Sequence, residues 1–194
     1  MAGARAVGVS RVRSRQGREG GARQGALSPP RLGLLLALAT FLVDQASKYW
    51  FVHVFDLGAR GSIGLLPFLD LVLAWNKGVS YSLFRTDEAW GRALLIGVAA
   101  LAIVAIGFWL RGARDRWTAV ALGLLAGGAA GNALDRLHYG AVADFLHFHT
   151  PVPLGPLSNY VFNVADVGIV LGVAALLYES LTSRRPAADA PPAA

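Results

Sequence analysis

Apolar residues in this chain fall into four long runs, and most of the polar residues that could do chemistry stand at their ends. Leu32 to about Val54 is the first run, about as long as a bilayer span requires, and Pro29 and Pro30 stop it on one side. Gly91 to Leu110 is the second and holds no acid; Trp117 to about Leu134 is the third; Val161 to Leu181 is the fourth. In the third, Gly123, Gly127 and Gly131 recur every four residues. That spacing makes one flat face on which another helix can approach closely. Between residues 55 and 90 the period changes: Phe68 to Trp75 and Val79 to Phe84 flank Asn76-Lys77-Gly78 and predict a β-hairpin. The connection from His138 to Tyr160 carries Pro151, Pro153 and Pro156 and predicts an irregular loop. The expected fold is all-α and membrane-integral, with four transmembrane helices over residues 31–182. A small β-rich cradle at about 55–90 and a loop at about 138–160 lie on the outer face, and tails at 1–30 and 183–194 flank the whole.

Composition supports this picture. Hydrophobic residues make up 55% of the chain and charged residues 15%, and the mean hydropathy is positive, a balance that fits a membrane protein better than a soluble one. The net charge of +6 does not signal nucleic-acid binding, because the basic residues gather at the ends and in one short linker rather than among surface aromatics. The arginine-rich segment before Pro29 reads as a disordered tail near anionic lipid. It is too long for the front of a cleavable signal peptide, and no small-residue cleavage site precedes Asp44-Gln45. Cysteine is absent, which removes disulfides, thiol nucleophiles and cysteine metal sites.

Lysine and arginine also orient the spans. Seven lie up to Arg31, three in the turn Arg111 to Arg116 and two after Ser183, whereas the first long connection has only Arg60, Lys77 and Arg85. Both termini are therefore expected in the cytoplasm. Measured from those basic anchors at about 1.5 Å per residue, Lys48, Asp135 and Asp166 each lie roughly 26–28 Å away, near the outer surface of a hydrocarbon layer about 30 Å thick. Asp144 follows Asp135 by nine residues and belongs near the same level.

Acids at such a level are costly and mark a functional site. Asp44 and Lys48 stand four apart and are placed to pair; Asn132, Asp135 and Arg136 share a helical face, with Asp135 and Arg136 expected as a fixed ion pair. Asn163 and Asp166 are three apart on the fourth run. Asp144 and Asp166 have no adjacent base. If they face each other they share a proton, as aspartyl hydrolysis requires. Spacing alone leaves them equally well explained as ordinary interfacial carboxylates. Ser80 and Ser82 have no histidine or lysine placed to activate them. His147 and His149 lack a third ligand at a suitable spacing, so no metal is expected.

Five segments in order, Asp44-Gln45-Ala46-Ser47-Lys48, Asn76-Lys77-Gly78-Val79-Ser80-Tyr81-Ser82, Gly131 to Arg136, Val142-Ala143-Asp144-Phe145 and Phe162-Asn163-Val164-Ala165-Asp166, resemble the motifs of the lipoprotein signal peptidase (signal peptidase II) family. The resemblance runs over roughly Leu32 to Leu181. It implies an aspartic endopeptidase of the bacterial inner membrane that uses no cofactor. Such an enzyme removes signal peptides from prolipoproteins by cutting before a diacylglyceryl-modified cysteine. It implies Asp144 and Asp166 as the catalytic pair, with Asp44, Lys48, Asn76, Gly78, Asn132, Asp135, Arg136 and Asn163 shaping the site and holding substrate. It also implies membrane lipid as the surroundings, no nucleic-acid partner, and a site at the outer surface; a monomer is the default expectation. Tyr81, where the family more often has phenylalanine, and the run His147 to Pro156 depart from the pattern. A proton-coupled carrier would spread its acids across the membrane depth, and a lipid-binding scaffold would not need the two acids at all.

Overall fold

The computed structural model describes residues 27–78, 89–153 and 155–182. Helix α1, Pro29–Tyr49, opens with two prolines at positions where a helix has no use for their missing N–H. It runs on into a single π-helical stretch, Trp50–Val54, so the predicted first run loses α-helical winding for its last five residues. Asp56, with φ of 49°, turns the chain into the one-turn helix α2, Leu57–Arg60, and the hairpin strands β1, Ile63–Leu66, and β2, Leu69–Asn76, follow. Helix α3 is Ala89–Arg111 and helix α4 is Arg116–His138. Strand β3, Val142–His149, leads through a 3-10 turn at Gly155–Ser158 into strand β4, Asn159–Phe162, and then helix α5, Val164–Thr182.

Among the described residues, three helices are long and apolar enough to cross a membrane: Trp90–Arg111, Arg116–His138 and Val164–Thr182. Helix α4 is central, packed against α1, α3 and α5, while α3 is almost wholly exposed. The glycine strip explains that centrality. A Cβ on Gly127 would strike the Ala37 carbonyl of α1 and one on Gly128 the Ala165 carbonyl of α5, so both neighbours lie backbone to backbone against α4. Asp115 caps α4 by accepting the Thr118 N–H at 2.7 Å, and this bond holds its carboxyl below the usual carboxylate range.

The strands form one antiparallel sheet in the order β1-β2-β3-β4. Its register sets Asp144 opposite Ala74 and Val142 opposite Asn76. A cluster of Leu57, Leu71 and Phe145 seats the sheet at the C-terminal end of α1, with the Phe51 and Phe145 rings 4.7 Å apart.

Two expectations are corrected here, and a third falls outside the described residues. The Phe68 to Trp75 run is a strand whose described partners are β1 and β3; the expected second arm, Val79 to Phe84, lies outside the described residues, as do Ser80, Ser82, residues 1–26 and residues 183–194. The connection from His138 to Tyr160 is not an irregular loop, because β3 and β4 occupy it. The alternation Leu146-His147-Phe148-His149 was the strand signal, and Pro151 and Pro153 are confined to the link between the two strands. Val161 and Phe162, expected in the fourth span, belong to β4.

Gly127→Val forces a branched side chain into the α1 backbone and is expected to cost roughly 1–3 kcal/mol, read as a lowered thermal midpoint in detergent. Gly107→Val, where a Cβ meets nothing within 4 Å, is expected to leave that midpoint unchanged or raise it.

Candidate active site

The C-terminal ends of α1 and α4 and the N-terminal end of α5 are joined through one buried cation. Lys48 Nζ lies 2.8 Å from Asp44 Oδ2, 2.9 Å from Asp135 Oδ2 and 3.0 Å from Asn132 Oδ1. Gln45 Nε2 donates to both acids, at 3.1 Å to Asp44 and 3.0 Å to Asp135. Asp44, Lys48 and Asp135 are almost completely excluded from solvent, where charges survive only if paired and hydrogen-bonded. Each acid also receives one backbone N–H from outside its own helix: Asp44 Oδ1 takes that of Ala165 at 2.9 Å, and Asp135 Oδ2 that of Ala143 at 3.2 Å. Ala165 immediately precedes Asp166 and Ala143 immediately precedes Asp144. The cluster therefore fixes the backbone on which both further acids are carried.

The i, i+4 pair of Asp44 and Lys48 is thus present, but the expected pair of Asp135 and Arg136 is not. Consecutive residues on a helix point about 100° apart, so the two side chains diverge. Asp135 turns to Lys48, and Arg136 turns to the sheet side, donating to Gly78 O at 3.0 Å and Asn132 O at 3.3 Å.

Asp144 and Asp166 are held by amides rather than by cations. Asn163 Nδ2 donates to Asp144 Oδ1 at 2.6 Å and Asn76 Nδ2 to Asp144 Oδ2 at 3.1 Å; the Gly78 N–H at 3.1 Å fixes the Asn76 oxygen and so its amide orientation. Asn132 Nδ2 donates to Asp166 Oδ1 at 2.9 Å. Asn163 caps α5 through a reciprocal pair: its Oδ1 accepts the Asp166 N–H at 3.0 Å, and its own N–H donates to Asp166 Oδ2 at 3.3 Å. One asparagine therefore starts the helix and orients both acids.

A cavity of about 140 Å³ opens on these groups, lined by Asn76, Gly78, Asn132, Arg136, Val142, Asp144 and Asp166. It has room for water, which needs about 30 Å³ per molecule. Arg136 Nε is buried without a hydrogen-bond partner among the described residues, leaving a spare donor beside it. Burial, followed by the negative charge of nearby Asp166, pushes the Asp144 carboxyl up to about 7, against the opposing hydrogen bonds from Asn76 and Asn163. A larger cleft of about 490 Å³ lies at the opposite end of the helices and shares none of these residues.

All ten residues singled out in the sequence meet here, in two layers: six of them line the cavity, Asn163 joins the two acids, and Asp44, Lys48 and Asp135 stand behind. Sequence reasoning missed Gln45 as the bridge between the two rear acids and Val142 as cavity lining; both sit inside quoted segments, beside residues that drew attention through their charge. His147 and His149 point to Asp70, at 3.8 and 3.2 Å, and His147 also contacts Asn159. Among the described residues no group of three side chains is placed to hold a metal.

Two carboxylates thus open on one small polar cavity at the end of an apolar helix bundle. The family profile described as Signal peptidase (SPase) II matches residues 36–182. The lipoprotein signal peptidase of Nitrobacter hamburgensis is 50% identical over 165 residues, covering 85% of this chain and 100% of the relative. That of Methylobacterium sp. (strain 4-46) is 51% identical over 157 residues, covering 81% and 93%. The fold is similar to a solved bacterial membrane enzyme, with a TM-score of 0.65 at 22% identity over 81% of this chain and 94% of that one. The chain belongs to the signal peptidase II family. It is an aspartic endopeptidase that removes signal peptides from prolipoproteins.

Lys48→Met leaves Asp44 and Asp135 buried without their cation and is expected to destabilise the fold by about 3–5 kcal/mol, read as loss of the folded, monodisperse fraction in detergent. Gln45→Ala, which removes hydrogen bonds but no charge, is expected to cost about 1–2 kcal/mol by the same measurement.

Proposed function

We propose that Asp144 and Asp166 are the catalytic pair. The observation that carries this reading is that both carboxylates open on one water-sized cavity while a single side chain, Asn163, orients them. Asp144, pushed up to about 7, holds the shared proton; Asp166 accepts from Asn132 and Asn163 and takes the proton of a water as it attacks the scissile carbonyl. The neutral Asp144 donates to the carbonyl oxygen as charge develops there, and the proton taken by Asp166 then passes to the departing amine. Arg136 and Asn76 present donors along the cavity wall to the peptide, and Gly78 leaves space for it. Asp44, Lys48 and Asp135 hold the pair's backbone and do not touch substrate.

The substrate is a prolipoprotein carrying a diacylglyceryl cysteine, cut before that residue. The site stands at the ends of the helices, where a lipid-anchored cleavage point is held at the membrane surface. We take α1 as a fourth span: Leu34, Leu35, Leu38 and Leu42 are all exposed along it, an apolar face that only lipid covers favourably. Four spans leave both termini on the same side of a bacterial inner membrane, and the distribution of basic residues supports the cytoplasm as that side, with the site outside. The enzyme acts as a monomer and without a cofactor.

Cleavage of a lipidated precursor by the purified chain tests the assignment. Asp144→Asn and Asp166→Asn are each expected to lower turnover by at least about 10²-fold while Asp70→Asn leaves it intact, and retained turnover in either of the first two would sink the catalytic pair. A pH series gives an independent test. The form with a neutral Asp144 is required, so kcat/KM is expected to fall as pH rises through about 7. Stability follows the same sign. A carboxyl raised in the folded state above its unfolded value of about 3.9 contributes stability that is complete at low pH and erodes as pH climbs to about 7. Asp144→Asn is expected to make that slope shallower in thermal unfolding.

A further inference from the structure

The cleft of about 490 Å³ lies where α3 ends, α4 begins and the last turns of α5 pass, and Trp109, Arg114, Asp115, Thr118, Glu179 and Ser180 line it. Exposed Trp109, Trp117 and Tyr178 surround this end of the helices, as aromatic residues do where a membrane meets water. Inside the cleft, hydrogen-bond donors are short. Thr118, which is buried, has its hydroxyl 2.7 Å from Asp115 Oδ2, 2.8 Å from Glu179 Oε2 and 3.0 Å from Glu179 Oε1. A hydroxyl carries one proton and can serve one carboxylate at a time. Asp115 has the Thr118 N–H as a second donor, whereas Glu179 has no other donor and no ion pair among the described residues. Arg114 contributes a guanidinium to the same cleft and likewise forms no ion pair among the described residues.

The cleft thus offers a carboxylate, Glu179, without an N–H donor among the described residues, a second carboxylate, Asp115, beside it, and an arginine that forms no ion pair there, at one end of the apolar helices. We propose that it binds the headgroup of an aminophospholipid, with the primary ammonium on Glu179 and Asp115 and the phosphodiester on Arg114. An ammonium supplies three donors where the hydroxyl supplies one, and a guanidinium suits a phosphate in geometry and charge. Trp109 and Leu176 border the cleft and give the glycerol and first methylenes an apolar edge. The site is remote from Asp144 and Asp166, so this inference does not depend on the catalytic assignment.

Native mass spectrometry of the full-length chain in detergent, with phosphatidylethanolamine, phosphatidylcholine and phosphatidylglycerol of identical acyl chains, tests it without substrate. Phosphatidylcholine keeps the charges but has no N–H, and phosphatidylglycerol has the phosphate alone. Phosphatidylethanolamine is expected to be retained about fivefold more tightly than either, a margin that hydrogen bonds to charged groups can supply. Glu179→Gln is expected to erase that margin, and Arg114→Gln to weaken all three lipids alike. Both variants are expected to cleave a prolipoprotein as wild type does. Equal retention of the three lipids by the wild type, or a phosphatidylethanolamine margin that survives Glu179→Gln, overturns the proposal.

Discussion

One ammonium shared between two buried carboxylates is the constraint on which the sheet-bearing end of this molecule depends. Lys48 stands between Asp44 and Asp135, and the three are sealed from solvent. Such a group is not a general source of stability, since desolvating three charges costs much of what their attraction returns. Its value here is positional. Each acid has an oxygen that accepts a backbone N–H from a different element, Ala165 in α5 and Ala143 in β3. Because those peptides lead directly into Asp166 and Asp144, small movements of the cluster are transmitted to the two acids that face the cavity.

The front of the site uses the opposite strategy. Asp144 and Asp166 receive neutral amide donors, from Asn76, Asn132 and Asn163, rather than a cation. A lysine at contact would favour the ionised form of both carboxylates, whereas amides orient them without adding a charge. Rear and front thus hold their acids in different ways, by a shared cation behind and by amides at the cavity. The same division accounts for Arg136 turning away from Asp135. Its charge reaches the cavity region, and its direct hydrogen bonds go to carbonyl oxygens of Gly78 and Asn132.

Much of this was legible in the chain because it is local. The pairing of Asp44 with Lys48 follows from four-residue spacing, the close approach of α4 to its neighbours from glycines at the same interval, and the shared level of the acids from counting residues to the basic anchors. What escaped was non-local. No spacing says that β2 pairs with β3, 68 residues on from Asn76 to Asp144, or that Asp135 prefers a lysine 87 positions earlier to the arginine beside it. The prolines after His149 drew attention to irregular chain and hid a strand whose alternation was plain. Resemblance to a known family selected Asp144 and Asp166 where spacing left two explanations standing.

The hydrogen bonds from Ala143 and Ala165 also bear on the order in which the site is assembled. A helix inserted alone carries its acids but has no site, because Asp44 needs the first turn of α5 and Asp135 needs the start of β3. The last of these elements leaves the ribosome long after α1. The arrangement around the cavity is therefore complete only when the first and last helices have closed on α4 between them.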